Sequence, residues 1–587
     1  MRRHLALVAL LLGLLAVAAP STFAASPKQK DNDTHLQLLA INDFHGNLEP
    51  PSGSSGVIAV RKPVVASPGV PADPGTVAAG GAEYLATHLK TLEQRNPNTL
   101  EVGAGDLIGA SPLLSGLFHD EPTIEAMNAM GMDVTGVGNH EFDEGVDELL
   151  RMQNGGCHPV DGCQDGTPFF GSLFQYLAAN VLYAGTQNTI LPAYELKKYG
   201  NAKIAFIGLT LQGTPLIVTP AGVAGLEFAP EVLTVNKLVK SLRENEGVRA
   251  FVVLIHEGGQ QNAPFAGGFM DINRCDNFTG AIKPIVEGLD PQVDLVVSAH
   301  THQPYICKFN GIPTTSASSF GRLITDIDLT IDHQSKDVTS VDAHNVIVTR
   351  DVPKDPAITE IINHYQAFAA PIANRIIGSI TADITRGVGS VVSGHNQESA
   401  LGDVIADAQL ASTSPTDFGG AVVAFMNPGG IRNDLTFNNQ TAGEAPGQIT
   451  YAEMFNVQPF NNVMNVKTMT GASIYRLLEQ QFDNPAVGQI RLLQVSKGFS
   501  YSYDFRRPAG SRVTPGSVAI NGVPITMTGT YRVAMNNFLA SGGDGFPAFN
   551  EGTDQLGGEI DIDAAVNYFL KNSPIAPGPQ NRVTRLG

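Results

Sequence analysis

Five apolar runs along this chain stop abruptly at glycine and at residue types that bind metals. HLQLLAI leads into Asn42-Asp43-Phe44-His45-Gly46, and NTLEVGAG into Asp106. MDVTGV leads into Gly138-Asn139-His140-Glu141-Phe142-Asp143, AFVVLI into His256-Glu257-Gly258-Gly259, and VDLVVSA into His300-Thr301-His302. Each run is short and rich in β-branched residues, the pattern of a buried strand. Between the runs the apolar period lengthens to that of a helix, in GGAEYLATHLKTLEQ, DEPTIEAMNAMG and DEGVDELLRMQN. The second of these has Asp120 as its expected N-cap and Gly131 at its end. Strand and helix signals alternate to about residue 330, which argues for the α/β class. In α/β sheets, sites collect beyond the carboxyl ends of strands, so five such ends could converge on one site.

Residues 51–80 are rich in Pro, Gly, Ser and Ala and read as a mobile surface insertion. DPAITEIINHYQAFAAPIANRI reads as a connecting helix over about 351–377, with Pro371 marking its end or a kink. Beyond it the His-rich strand ends disappear. A second α/β domain is therefore expected over 378–587, after a first over 35–350. Its helices are predicted at ESALGDVIADAQLA and TGASIYRLLEQQF, and a Gly-rich run, Ser541 to Gly545, follows the strand YRVAMN.

The length of 587 residues fits two or three domains. A formal net charge of −19 argues against a nucleic-acid polymer or an anionic membrane as partner. A small anionic substrate stays open, because bound divalent cations invert the local field. At the N-terminus the basic Met1-Arg2-Arg3-His4 precedes LALVALLLGLLAVAA, with small residues at Thr22-Phe23-Ala24 and at Ala16-Val17-Ala18. This reads as a secretory signal peptide over 1–24, implying a periplasmic or secreted protein. The alternative is a retained membrane anchor, for which the run is short. No other long uncharged apolar stretch follows, so the mature chain is expected to span no membrane. Four cysteines allow three pairings. Cys157–Cys163, within GGCHPVDGCQDG, and Cys275–Cys307 are favoured, and a cysteine–zinc site is the weaker reading without a CxxC spacing.

A turn as polar as GNHEFD is costly to desolvate unless something pairs with it. Asp43, His45, Asp106, Asn139, His256, His300 and His302 offer N and O donors without a thiolate, enough for two divalent ions. Zinc is the first expectation, with manganese or cobalt as alternatives. Asp106 lies between the DxH and NH elements and is the natural bridge. Two metals about 3.5–4 Å apart can clamp both the attacking and the leaving oxygen of an in-line displacement. Water on such a metal ionises near pH 7, about where hydroxide is needed. The reaction class that calls for this set is phosphate-ester hydrolysis. His140 adjoins a ligand, and Asp143, three residues on, can accept its ring N–H and fix the tautomer. The alternative is that His140 is itself a ligand.

Together NDFHG, GDLIGAS, GNHEFD, HEGG and AHTH resemble the calcineurin-like metallophosphoesterase half of the 5′-nucleotidase family, and the resemblance extends over nearly all of the mature chain. It implies a β-sandwich flanked by helices, a helical linker and a C-terminal α/β nucleotide-binding domain. It implies Asp43, His45, Asp106 and His302 on one metal, with Asp106, Asn139, His256 and His300 on the other. It also implies His140 with Asp143 as a catalytic dyad. Asn427-Pro428-Gly429-Gly430-Ile431-Arg432 is similar to the family's NGGGIR motif, which makes Arg432 a phosphate contact. Phe460 and Phe538 match two aromatics that sandwich the base, and Asn462, Gly498 and Asp544 match other base and ribose contacts. Such stacking tolerates any base, and Asp544 can accept ribose hydroxyls. In one departure, Gln397 stands where relatives often carry an arginine. Strict 5′-monophosphate specificity then depends on Arg386 replacing it, and a 2′,3′-cyclic nucleotide or a diphosphate-containing substrate gains ground.

The expected function is thus an exported 5′-nucleotidase, with UDP-sugar hydrolysis as a further activity, acting as a monomer or weak dimer. The rival within the class is a 2′,3′-cyclic-nucleotide phosphodiesterase with 3′-nucleotidase activity. The remote alternative is a secreted nucleotide-binding protein without catalysis.

Overall fold

The computed structural model describes residues 33–51, 53–61, 74–218, 222–261, 271–387, 397–440, 442–485 and 487–587. The expected signal peptide lies outside the described residues. The five apolar runs form strands, divided between two six-stranded sheets. In the first, the order is Val338–Ile347, Leu323–Ile331, Thr34–Ile41, Thr99–Ala104, Met132–Gly136, Gln175–Leu177. In the second it is Pro304–Phe309, Ile312–Ala317, Leu295–Ser298, Ala250–His256, Ala202–Thr210, Tyr194–Tyr199. The central pairings in both sheets are parallel.

The runs are continuously apolar because both faces of these strands are covered. Leu36, Leu38, Ala40, Val102 and Val134 of the first sheet meet Phe206, Val252, Leu254 and Val297 of the second in one buried cluster. On the outer side of the first sheet, Leu39 and Ile41 pack with Leu85 and Leu89 of helix Ala82–Glu93 and with Ile124 and Met127 of helix Glu121–Met130. On the outer side of the second, Ile207, Val253 and Ile255 meet Val235, Val239 and Leu242 of helix Glu231–Asn245. Each large side chain so withdrawn contributes about 1.5–3 kcal/mol. The result is a sheet-on-sheet sandwich with helices on both outer faces.

Two sequence expectations are corrected here. Part of the insertion at residues 51–80 is regular: Val57–Arg61 and Pro74–Ala78 pair as an antiparallel hairpin, and Arg350 donates to the carbonyls of Pro51 and Ala79 beside it. Residues 62–73 lie outside the described residues. Asp120 stands at the start of its helix, but its side chain makes no cap there. Its carboxylate accepts instead from the Gly109 amide and the Ser115 hydroxyl.

Helix Pro356–Ala373 starts on Asp355, whose carboxylate accepts from the amides of Ala357 and Ile358, and carries Pro371 in its last turn. Its buried residues Ile358, Ile362 and Tyr365 belong to the core of the first half. After it, a five-stranded sheet runs Gln494–Val495, Val423–Met426, Thr530–Asn536, Val463–Thr470, Thr553–Ile560. Helices Ala400–Thr413 and Gly471–Glu479 start on the capping hydroxyls of Ser399 and Thr470. The halves touch where Leu113 enters the cluster of Met454, Phe455 and Ile562, and its amide donates to Asn456 at 2.9 Å.

Candidate metal and catalytic site

The loops that leave five parallel strands meet at one end of the sandwich. The chain turns there under strain: Asp43 (φ 49°), His45 (48°), Asp106 (50°), His300 (70°) and His302 (56°) are all left-handed. Such conformations cost on the order of 1 kcal/mol or more each and persist only where the surroundings over-determine them. Their clustering points to a site.

Asp43, His45 and His302 bring ligand atoms within 4.8 Å of one another, and so do Asp106, His256 and His300. His45 donates from Nδ1 to the Gly109 carbonyl at 2.9 Å, and His256 from Nδ1 to the Ala104 carbonyl at 2.8 Å. In each, the Nδ1 hydrogen bond turns Nε2 toward the centre. There, His45 Nε2 lies 3.6 Å and His256 Nε2 2.9 Å from Asp106 Oδ2, while His302 Nε2 lies 3.4 Å from Asp43 Oδ1. The Asp43 carboxylate accepts the His300 amide at 3.1 Å, which fixes the HTH turn to the NDFHG turn.

Burial holds the His45 ring well below the usual imidazole range, and burial with the His256 charge takes His300 down to about 3. His256 rises to about 10 against the opposing effect of burial, because Asp106 faces it. Asn139 Oδ1 is buried without a hydrogen-bonding partner, and His256 Nε2 meets only Asp106 within hydrogen-bonding distance. With the inward carboxylates of Asp43 and Asp106 they offer electron pairs that a cation would satisfy. The residues present thus fit a pair of divalent ions. His140 also comes near Asp106 and His45. Its Nδ1 lies 2.7 Å from Asp143 Oδ2, and its amide donates to Asp106 Oδ1 at 2.9 Å.

Of the expected substrate contacts, Arg432 and Phe460 reach this centre. The Phe460 ring lies 5.7 Å from the His140 ring at 23°, and the Arg432 guanidinium sits 5.8 Å over Phe460. Arg432 is depressed by burial and by the neighbouring Arg386, while Asp106, Asp143 and Asp43 act to raise it. A second group forms around Asp544, which accepts from Asn427 at 2.9 Å and from Arg491 at 2.8 Å. Phe538 leans over Gly543, where a Cβ would stand 2.5 Å from its ring. Asn462 is buried, and its carbonyl accepts the Asp561 amide. Gly498 (φ 91°) forms a turn with Asn521. Among the described residues, no hydrogen bond or ion pair joins Asn462 or Gly498 to the Asp544 group. Arg386 is engaged by the Arg432 carbonyl, Ser55 and Asp434, and Gln397 is exposed.

Two participants escaped the sequence reading. Glu141 accepts from the amides of Asp106, Leu107 and Gly138 at 2.9, 2.9 and 2.5 Å, tying two of the ligand loops together. Its place inside GNHEFD was the available signal, but there it read as one more polar residue in the cluster. Arg491 lies in a loop without a motif and carried no signal.

Comparison with known proteins agrees with this architecture. Residues 36–304 match the calcineurin-like phosphoesterase model, and residues 376–551 match the 5′-nucleotidase C-terminal domain model. The chain is 31% identical to the endonuclease YhcR of Bacillus subtilis over 93% of its own length, spanning 41% of that protein. It is 32% identical to the cell wall protein Lmo0130 of Listeria monocytogenes, covering 95% of this chain and 70% of that one. The fold is shared with the crystal structure of a 5′-nucleotidase precursor from Thermus thermophilus, at a TM-score of 0.71 and 23% identity, over 94% of this chain and 100% of that one.

Proposed function

We propose that this chain, which belongs to the 5′-nucleotidase family, is an exported two-metal phosphohydrolase that releases phosphate from nucleotides. As a member of that family it is a metal-dependent hydrolase of phosphoric esters. The observation that carries the nucleotide reading is the reach of Arg432 and Phe460, from the second half, to the cluster of Asp43, Asp106 and five histidines in the first.

In this reading Asp43, His45, Asp106 and His302 hold one divalent ion, and Asp106, Asn139, His256 and His300 the other, with zinc first and manganese or cobalt as alternatives. When bound, the ions supply an ionised water at neutral pH and charge for the phosphoryl oxygens. The protein does the rest. Asp143 holds the His140 Nδ1 proton, so that Nε2 faces the phosphoryl group or the leaving oxygen. Arg432 adds positive charge on the side away from the sandwich. Phe460 and Phe538 take the base, and Asp544 with Asn427 takes the ribose. Asn462 and Gly498 support that pocket from further out. With a catalytic domain over 35–350, a linker over 351–377 and a substrate domain over 378–587, the site would lie between the two domains, and their relative rotation would be the route in and out.

Export rests on the N-terminal pattern of the sequence. Among the described residues, no helix is long and apolar enough to cross a membrane. A monomer or weak dimer remains the expected state. A second reading, a 2′,3′-cyclic-nucleotide phosphodiesterase with 3′-nucleotidase activity, is favoured by one observation. Arg386 is spent on protein partners and Gln397 is neutral, so the phosphate meets one arginine fewer. Phosphate release from AMP, 2′,3′-cyclic AMP, UDP-glucose and bis-p-nitrophenyl phosphate, after chelation and reloading with zinc, manganese or cobalt, separates the readings. No turnover of any of them under any metal would refute the phosphohydrolase itself.

A further inference from the structure

Outside the metal cluster, one group of titratable side chains joins three distant segments. His119 sits between helices Leu113–Gly116 and Glu121–Met130. Its Nδ1 lies 2.7 Å from Glu144 and its Nε2 3.0 Å from Asp161. A neutral imidazole carries one N–H, so two carboxylate partners select the imidazolium. Glu144 directly follows Asp143, the partner of His140. Asp161 lies in the hairpin closed by Cys157–Cys163. The backbone under His119 is strained: His119 (φ 52°) and Asp120 (φ 61°) are successive left-handed residues. Asp120 accepts the Gly109 amide at 2.9 Å, and a Cβ on Gly109 would stand 2.7 Å from His140 Cβ and 3.0 Å from Asp143 Oδ2. Two routes therefore run from this residue to the dyad, one through Glu144 and one through Gly109.

We propose that His119 is a positioning residue for the His140–Asp143 pair, clasping the turn that carries Asp143 to the hairpin of residues 157–163. The proposal rests on reading that pair as catalytic. Glu144 and Glu148 face His119 from the turn and helix after Asp143, Asp161 and His158 from the hairpin, and Glu121 from the adjoining helix. Arg151 is occupied by Glu121 and Glu148. Burial opposes the charge, but Glu144, Asp161 and Glu148 outweigh it and lift His119 to about 9. The folded value lies above the unfolded one, so the clasp is complete below about 6.5 and is lost as pH rises through about 9. His158 stacks on His119 at 3.7 Å and 14°. The parallel rings of His119 and His158 cannot aim their in-plane lone pairs at one ion, which leaves His119, Glu144 and Glu148 as the metal-ligand set that competes with the clasp.

The test measures kcat, KM and metal content for His119→Gln, Glu144→Gln and the double variant, across pH 6–10, with His140→Ala in parallel. Expected is a fall in kcat of roughly tenfold for His119→Gln with KM nearly unchanged and both metals kept, since small misplacements near the chemistry act on turnover. The wild-type alkaline decline near pH 9 should vanish in that variant, and the Glu144→Gln loss should not add to it. The proposal fails if kcat is unchanged, if the two losses add, or if the alkaline limb persists in His119→Gln. It also fails if the wild type holds a third metal per chain that His119→Gln loses. Full activity in His140→Ala would remove the catalytic reading itself, whereas collapse there with a neutral His119→Gln would sink this proposal alone.

Discussion

Glu141→Gln should loosen the metal centre without touching a ligand. The Glu141 carboxylate accepts three amides, from Asp106, Leu107 and Gly138, and is buried among them. Glutamine keeps the shape but turns one acceptor into a donor, so at least one amide loses its partner where water does not replace it. A hydrogen bond to a charged acceptor contributes about 1.5–3 kcal/mol, and a stranded buried donor costs a similar amount, giving roughly 2–4 kcal/mol after relaxation. An opposing effect is present: burial and the nearby Asp106 push Glu141 up to about 7, and a neutral amide relieves that repulsion. With three amides aimed at two oxygens, the lost bond dominates at pH 8, where the carboxylate is charged. Because the strained Asp106 turn hangs on two of those bonds, metal affinity should fall by about 10–100-fold, as for other groups that orient ligands. Urea unfolding of the chelated protein measures the first effect, and equilibrium dialysis against zinc the second. An unchanged unfolding midpoint together with unchanged zinc affinity would refute the reasoning.

Chelation should abolish activity, and zinc, manganese or cobalt should restore it; Asp106→Ala should be the most damaging single ligand change, read by metal content and turnover, because the proposed assignment puts that carboxylate on both ions. His140→Ala should lower kcat by about 10²–10⁴ with metal content kept, as expected for a group working on the proton or the transition state. Asp143→Asn should act in the same direction and more mildly, and an emptied metal site in His140→Ala would make the residue a ligand instead. Phe460→Ala with Phe538→Ala should sharply lower kcat/KM for AMP and hardly change turnover of a small aryl phosphate. Equal losses on both substrates would mark structural damage.

The strands of the first half were legible because burial on both faces leaves an uninterrupted apolar run, as in AFVVLIH, where every residue is buried. Their division between two sheets was not legible from periodicity. Val134 packs across the sandwich on residues such as Leu254 while Leu39 packs on helices, and a run of leucines and valines carries no mark of which face meets which partner. The hairpin within residues 51–80 was missed for a different reason. Its strands VIAVR and PGTVA are short, and Arg350, nearly three hundred residues away, supplies the bonds beside it.

The candidate ligands were legible because each stands at the end of a strand, where an apolar run, a turn and a donor follow in order. What joins the two halves was not, since it depends on how one domain lies on the other. Nothing in QPFNN says that Phe460 stacks on His140, or that Arg432, held by its own amide to Val457, brings its charge above Phe460. That contact adds a constraint on mechanism. If Phe460 takes the base, as proposed, it must leave its stack on His140, by turning or by the domains parting. The Phe460 variant should therefore alter how fast AMP enters as well as how tightly it is held, which stopped-flow binding on the chelated protein resolves.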